Sequence, residues 1–304
     1  INKIRGPSFK YCYGDEVATW DEGVFQMLKS RLDKSYSKFD GTCNPEGPSH
    51  WFKEFLDSDA DIFQQKYTLY DNPFLAKEVL QSLETEYRGT VFFDRYILGD
   101  WKAAEGTIYM LFADETEKFL VDKVNEQLAI VTIGVDYGAG KSKIKFVASG
   151  ITYNFRNVYV LDEMDLTGVY DPEQIYEKFI EFYKRVYDKY DKCQYTFCDY
   201  GALGNVITLG LIRRCQKERL PVQVVDCEKG LINDRIFLSS TLMAQKRFFI
   251  LRKNTIITKA FQDALWNSKT QDERLDDGTT DIDSLDAFEY SINSFYENLI
   301  NSRR

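Results

Sequence analysis

Two aspartates stand in the same local setting. Asp136 closes the apolar run LAIVTIGVD and is followed by Tyr137 and Gly138; Asp199 closes YTFCD and is followed by Tyr200 and Gly201. A carboxylate at the end of a buried strand is costly unless something pairs with it, and a divalent cation is such a partner. A third acidic group lies in DIDSLDAFEYS, where Asp283 and Asp286 are three apart on one helical face. Carboxylates from three separate elements can converge on two Mg²⁺ or Mn²⁺ ions, which stabilise both the attacking and the leaving oxygen in phosphodiester hydrolysis. Each acid alone also reads as a solvated acid at a strand end or on a helix. The joint pattern is what points to a metal site.

The stretch GVDYGAGKS, Gly134 to Ser142, offers a competing chemistry. A phosphate-binding loop requires Gly, four residues, then Gly-Lys-Ser/Thr, and it must open a helix. Counting back from Gly140 places Val135 where the first glycine belongs, and KIKFVASGITY after Ser142 is strand-like. The stretch is therefore read as a strand end carrying Asp136, with glycines that permit a tight turn and a close approach.

The elements that must position these acids are legible as periodicity. LAIVTIGVDYG reads as a strand buried on both faces, with KIKFVASGITY and NVYVLDEMD completing an antiparallel meander. DPEQIYEKFIEFYKRVYDKY is an amphipathic helix with Asp171 as its N-cap and Pro172 at its first position. CQYTFCDYG and PVQVVDC read as strands around the helix NVITLGLIRRCQKERL, and FFILRK as a strand after the helix GLINDRIFLSSTLMAQKR. Two helices follow, IITKAFQDALWNS and DIDSLDAFEYSINSFYENLI, giving the order βββ-α-β-α-β-α with more helix at the end.

Upstream, FKYCYGDE is β-rich and ends in Asp15 and Glu16, SKFDG is a short strand, and a helix opens near Ser49. NPFLAKEVLQSLETEY reads as a helix, YILGDWKAAEGTIYMLF as a connecting segment, and the polar DETEKFLVDKVNEQ as the domain boundary. Two domains result, 1–125 and 126–304.

The chain has 304 residues, 44% hydrophobic and 29% charged, enough for about two domains with a substantial core. Its net charge of -9 argues against a uniformly basic nucleic-acid binder, yet leaves room for a nuclease with acidic metal ligands and basic residues confined to one groove. No apolar stretch is long enough for a membrane span. Six cysteines without any Cys-x-x-Cys pair read as reduced thiols, not a zinc ribbon, and the single His50 excludes a mechanism needing two histidines. A start at Ile1, without Met, suggests a fragment.

This strand order with these acids resembles the ribonuclease H-like nuclease domain, and nearly the whole chain resembles the large terminase subunit of tailed bacteriophages, the DNA-packaging motor. The resemblance implies an α/β fold: a ribonuclease H-like mixed sheet flanked by helices, preceded by the trailing part of a P-loop-type ATPase domain. FKYCYGDE is similar to that family's acid-ended ATPase strand, which would put Asp15 near Mg²⁺ and make Glu16 the base that activates water. DGTCNPEGPSHWF resembles the coupling motif, with Thr42 and Asn44 at its polar positions and Pro45 and Trp51 accompanying them. YILGDWKAAEGTIYMLF is similar to the segment joining the two domains. The family's three metal-binding acids match Asp136, Asp199 and Asp286. Where the family motif Asp-His-x-x-Asp-Ala has His, this chain has Asp283, an extra ligand or a neighbouring acid. KGLINDRI resembles a further family stretch, in which Lys229 and Arg235 contact DNA phosphates or are ordinary surface cations.

The family's phosphate loop lies upstream of the Asp-Glu strand and would precede Ile1, so this fragment alone is not expected to hydrolyse ATP, although its parent uses ATP-Mg. The resemblance further implies double-stranded DNA, a small terminase subunit and the portal protein of the procapsid as partners, assembly as a homo-oligomeric motor, no membrane, and action in the bacterial host cytoplasm from a phage or prophage gene. The rivals are another ribonuclease H-like enzyme, of resolvase or transposase type, and a non-catalytic component of the packaging machine.

Overall fold

The computed structural model describes residues 6–48, 50–88, 90–102, 105–138, 143–168, 170–201, 204–267, 270, 273–276 and 280–302. Ser49, where a helix is expected to open, and Gly140, Lys141 and Ser142 of the rejected phosphate loop lie outside them, as do Ala103 and Ala104 of the connecting segment. The chain divides into two units, 1–105 with 268–272, and 106–267 with 273–304.

In the first unit, β1 (Tyr11–Gly14) runs parallel to β2 (Lys38–Gly41), pairing Tyr11 with Lys38 and Gly14 with Gly41. Between them, α1 (Glu22–Lys29) is capped by Asp21, whose carboxylate accepts from the Val24 amide at 3.2 Å. Helix α2 (Trp51–Leu56) is capped by His50, whose Nδ1 accepts from the Phe52 amide. A small aromatic core forms around Phe25, whose ring meets Phe39, Phe52 and Phe55 edge-on. Helix α3 (Lys77–Tyr87) begins later than its apolar spacing predicts, because the Asn72 side chain accepts from the Phe74 amide and holds Asn-Pro-Phe as a turn.

The second unit opens with α4 (Met110–Asp114) and is built on a seven-stranded sheet. Its strands are β3 (Leu120–Val121), β4 (Leu128–Asp136), β5 (Ile144–Thr152), β6 (Val158–Leu166), β7 (Tyr195–Cys198), β8 (Gln223–Asp226) and β9 (Phe248–Leu251), in the order β3-β9-β6-β5-β4-β7-β8. The run β4-β5-β6 is the predicted antiparallel meander; β7 and β8 extend it parallel to β4, and β9 joins parallel to β6. This is the expected ribonuclease H-like mixed sheet.

Helix α5 (Pro172–Tyr190) has the predicted Asp171 N-cap, which the structure shows forming a capping box with Gln174, and it packs with α6 (Gly204–Lys217) on one face. Val131, Ile133 and Val135 of β4 point to that face, where Phe146 meets Phe179 and Phe182. The alternate residues of β4 face α9 (Ile282–Asn293): Thr132 Oγ1 donates to the Ser291 carbonyl at 2.7 Å. Helices α7 (Ile232–Ala244), α8 (Thr255–Asp263) and α10 (Tyr296–Asn301) complete the fold.

Two differences from the sequence reading have local causes. The last apolar pattern breaks into α9 and α10, with Phe295 between them turned onto Tyr195 and Phe197. The polar run 114–127 contains β3, paired with β9 at Leu120↔Ile250; the units accordingly part between Glu105 and Gly106, upstream of the boundary expected at 125/126. None of the described helices is long and apolar enough to cross a membrane.

Candidate nuclease site

Strands β4 and β7 are neighbours and parallel, with Val135 beside Cys198. Their carboxyl ends therefore deliver Asp136 and Asp199 side by side, and the Asp199 amide donates to the Val135 carbonyl at 3.3 Å. The turn after Asp199 is fixed by its own side chain, whose Oδ1 accepts from the Gly201 amide at 2.7 Å. Gly204, which opens α6, has no room for a side chain: a Cβ would stand 2.0 Å from the Asp199 carbonyl oxygen. Helix α9 brings Asp283 and Asp286 to the same end of the sheet.

Asp136 is buried, 8% exposed, and the only hydrogen bond to its carboxylate among the described residues is a long one, 3.5 Å, from the Gly138 amide. Burial pushes its carboxyl up to about 8, and the negative charges of Asp286, Asp283 and Asp199 add to the effect. Burial also raises Asp283, whose Oδ2 accepts from the Lys143 amide at 3.1 Å. Asp199 and Asp286 are balanced by side chains. Lys229 Nζ lies 2.7 Å from Asp199 Oδ2, while Arg235 Nη1 and Arg274 Nη1 lie 2.9 and 3.1 Å from Asp286 Oδ1.

The two cations singled out for DNA thus differ. Lys229 is half exposed beside Asp199. Arg235 is 5% exposed and turned inward on Asp286 and Glu289, not out on the surface where a phosphate would first be met.

Three residues that no motif flags complete the surroundings. Lys145 is directly opposite Asp136 on β5 and opposite Asp165 on β6, so all three side chains share the α9 face. Its Nζ is buried between Asp165 Oδ2 at 3.0 Å and Asp281 Oδ2 at 2.9 Å, and Asp281 caps α9 by accepting from the Ser284 amide. The one sequence signal is a lysine inside an otherwise apolar strand.

The donor set suits a hard divalent cation: carboxylate oxygens from β4, β7 and α9, one of them buried without a cationic partner. Among the described residues no group of three or more His, Cys, Asp or Glu is already drawn into a ligand cluster. Lys229, Arg235 and Arg274 occupy the carboxylates that such a cluster would use.

The first unit brings together all four residues read as ATPase and coupling positions. Thr42 Oγ1 donates to Asp15 Oδ1 at 2.6 Å, and Asn44 donates to Glu16 through both its amide and its side chain at 3.2 and 3.3 Å. The strand pairing continues past β1 and β2, with the Thr42 amide donating to Gly14 and the Val17 amide to Thr42. Glu16 holds a left-handed backbone, φ 49°, an uncommon state for a residue with a side chain.

Residues 2–113 match the family described as the N-terminal part of the T4likevirus-type terminase large subunit. No curated protein matches the chain. Among solved structures it is similar to a large terminase from a thermophilic bacteriophage, with 23% identity and a TM-score of 0.80 over 96% of this chain and 70% of that one. A structure of the same phage's terminase with ADP gives 22% and 0.78 over 96% and 71%, and one with ATP-gamma-S gives 22% and 0.77 over 95% and 72%. Residues 2–113 thus resemble the N-terminal part of large terminases by sequence, and nearly the whole chain shares the fold of the thermophilic phage's large terminase.

Proposed function

We propose that this chain is the part of a DNA-packaging large terminase that cuts concatemeric viral double-stranded DNA, joined to the trailing part of the ATP-driven motor. The observation that carries the cutting activity is the meeting of Asp136 and Asp199 at the ends of adjacent parallel strands, with Asp283 and Asp286 of α9 alongside. Two Mg²⁺ or Mn²⁺ ions held there would supply charge stabilisation to the attacking and leaving oxygens of the phosphodiester.

Asp136 is the central ligand, because its buried carboxyl has no side-chain cation to neutralise it among the described residues. Asp199 and Asp286 complete the set, and Asp283 adds a fourth carboxylate. Lys229, half exposed and already at the site, is placed to meet the DNA backbone when Asp199 turns to a cation. Contact through the backbone makes cleavage weakly sequence-dependent.

In the first unit Asp15 and Glu16 serve ATP turnover in the whole protein, Asp15 towards Mg²⁺ and Glu16 towards the attacking water. Thr42 and Asn44 orient them and so read the nucleotide state. This cluster favours a terminase over a resolvase or transposase, which has no use for it. Double-stranded DNA, a small terminase subunit and a procapsid portal are the partners this reading implies, with the motor assembled from several copies in the bacterial cytoplasm.

The test is plasmid nicking in Mn²⁺. Asp136→Ala should abolish nicking while far-ultraviolet circular dichroism stays native, and cleavage retained in that variant refutes the assignment.

A further inference from the structure

Behind the carboxylates lies a second, buried layer of charge. Glu289 is one helical turn beyond Asp286 on α9 and is 1% exposed. Its Oε2 is 3.0 Å from Arg235 Nη1, and its Oε1 accepts from Arg274 Nη2 and, at 3.2 Å, from the Tyr109 hydroxyl. Arg274 Nη2 also donates to that hydroxyl at 3.1 Å. Both guanidiniums reach forward to the same oxygen, Asp286 Oδ1. Two buried cations are thus shared between two carboxylates, one facing the site and one behind it.

The arrangement has a consequence for any cation that Asp286 is to hold. A ligand carboxylate must give up an oxygen to the incoming ion. If Asp286 were the only anion near Arg235 and Arg274, releasing it would leave two buried guanidiniums without a partner, a costly state. Glu289 removes that obstacle, since each guanidinium keeps an ion pair when Asp286 turns away. Tyr109, 2% exposed, fixes Glu289 in the orientation that does so.

Tyr109 also belongs to a continuous backbone path. Its segment pairs with the chain after α8: the Ile108 amide donates to Ala264, the Trp266 amide to Gly106, and Thr107 bridges Leu265. Trp266 in turn bridges Arg274.

We infer that Glu289, oriented by Tyr109, is a positioning residue that keeps Arg235 and Arg274 ion-paired when Asp286 turns to a cation, and so sets how tightly the site takes a divalent cation. The inference rests on Asp286 being a ligand, as proposed above. Its measure is Mn²⁺ affinity, read by titration calorimetry and by the electron paramagnetic resonance of free Mn²⁺, without any cleavage assay. Glu289→Gln, which keeps shape and removes charge, should weaken Mn²⁺ binding about tenfold or more. Adding Arg274→Met to that variant should restore much of the affinity by rebalancing the charge, whereas a loss that only reflects damaged packing would deepen. Mn²⁺ binding unchanged in folded Glu289→Gln, or no recovery in the double variant, overturns the inference. Should Glu289→Gln not fold, Tyr109→Phe carries the test. It removes one hydroxyl and should weaken binding about threefold, and an unchanged affinity overturns the inference. A different result marks failure of the underlying reading: the unmodified protein taking up no Mn²⁺, or Asp286→Asn binding it as well as the unmodified protein does.

Discussion

Gly134 on β4 faces the carbonyl of Ala287 on α9 so closely that a Cβ at 134 would stand 1.8 Å from that oxygen. Two backbones touch here without a side chain between them, two residues before Asp136 and one residue after Asp286. Gly134→Ala must push the helix off the sheet. The expected cost is about 2–4 kcal/mol in urea unfolding, and the Mn²⁺-dependent rise in melting temperature should shrink or vanish because Asp286 is carried away from Asp136.

The buried carboxyl of Asp136 gives a pH dependence whose sign is fixed. Its native value of about 8 lies above the ~3.9 of an unfolded aspartate. Between those limits the native protein keeps a proton that the unfolded chain has lost, so stability present below about pH 4 falls as pH climbs through 8. In EDTA, unfolding free energies of the unmodified protein from urea titrations should therefore fall relative to those of Asp136→Asn across this range, by roughly 5–6 kcal/mol in total. Parallel curves would show that the carboxyl ionises freely in the native state.

Lys145 is 2% exposed and joins Asp165 on β6 to Asp281 at the start of α9. Lys145→Met takes the cation from Asp281 and leaves Asp165 only the more distant Lys143, 3.7 Å away; it should cost about 2–3 kcal/mol, below the usual range for buried pairs because both acids retain some solvent. Asp165→Asn with Asp281→Asn in the same chain should recover part of that loss, as read from thermal melts.

Glu16 pays for its position in backbone strain, since a left-handed residue with a side chain costs roughly 1–2 kcal/mol. Its bonds to Asn44 are exposed and contribute less than about 1 kcal/mol together. Glu16→Gly should for this reason stabilise the protein by roughly 0.5–1 kcal/mol in urea. A destabilised Glu16→Gly would mean that the Asn44 contacts outweigh the strain.

How far the sequence reveals this site depends on what each residue's neighbours along the chain disclose. Asp136 and Asp199 are visible because an unbroken apolar run makes a terminal carboxylate conspicuous, and the meander is visible because three such runs follow one another. Asp15, Glu16, Thr42 and Asn44 are recognisable through motifs, and their mutual hydrogen bonds follow once β1 and β2 pair. Lys145, Asp165 and Asp281 carry no such mark: what makes them a unit is cross-strand register, which is set by hydrogen bonding between elements and leaves no local trace. Tyr109, Arg274 and Glu289 are further removed, meeting only after the chain has returned to the same helix. For the same reason Arg235 reads in sequence as a DNA-phosphate contact or an ordinary surface cation, and is an interior cation in the fold. The strand β3 escapes notice because two apolar residues in a charged run suffice when β9 offers an edge.

The way residues 106–121 pack with the larger unit bears on where the chain can be shortened. A shortened protein begun at residue 126, where the polar run invites a cut, would lose β3 from the sheet edge and Phe112 from its contacts with Phe119, Phe248 and Phe261. It would also strip the Tyr109 hydroxyl from Glu289. One begun at 106 retains all of these, so truncated forms are comparable with the full chain only when their first residue precedes the tyrosine.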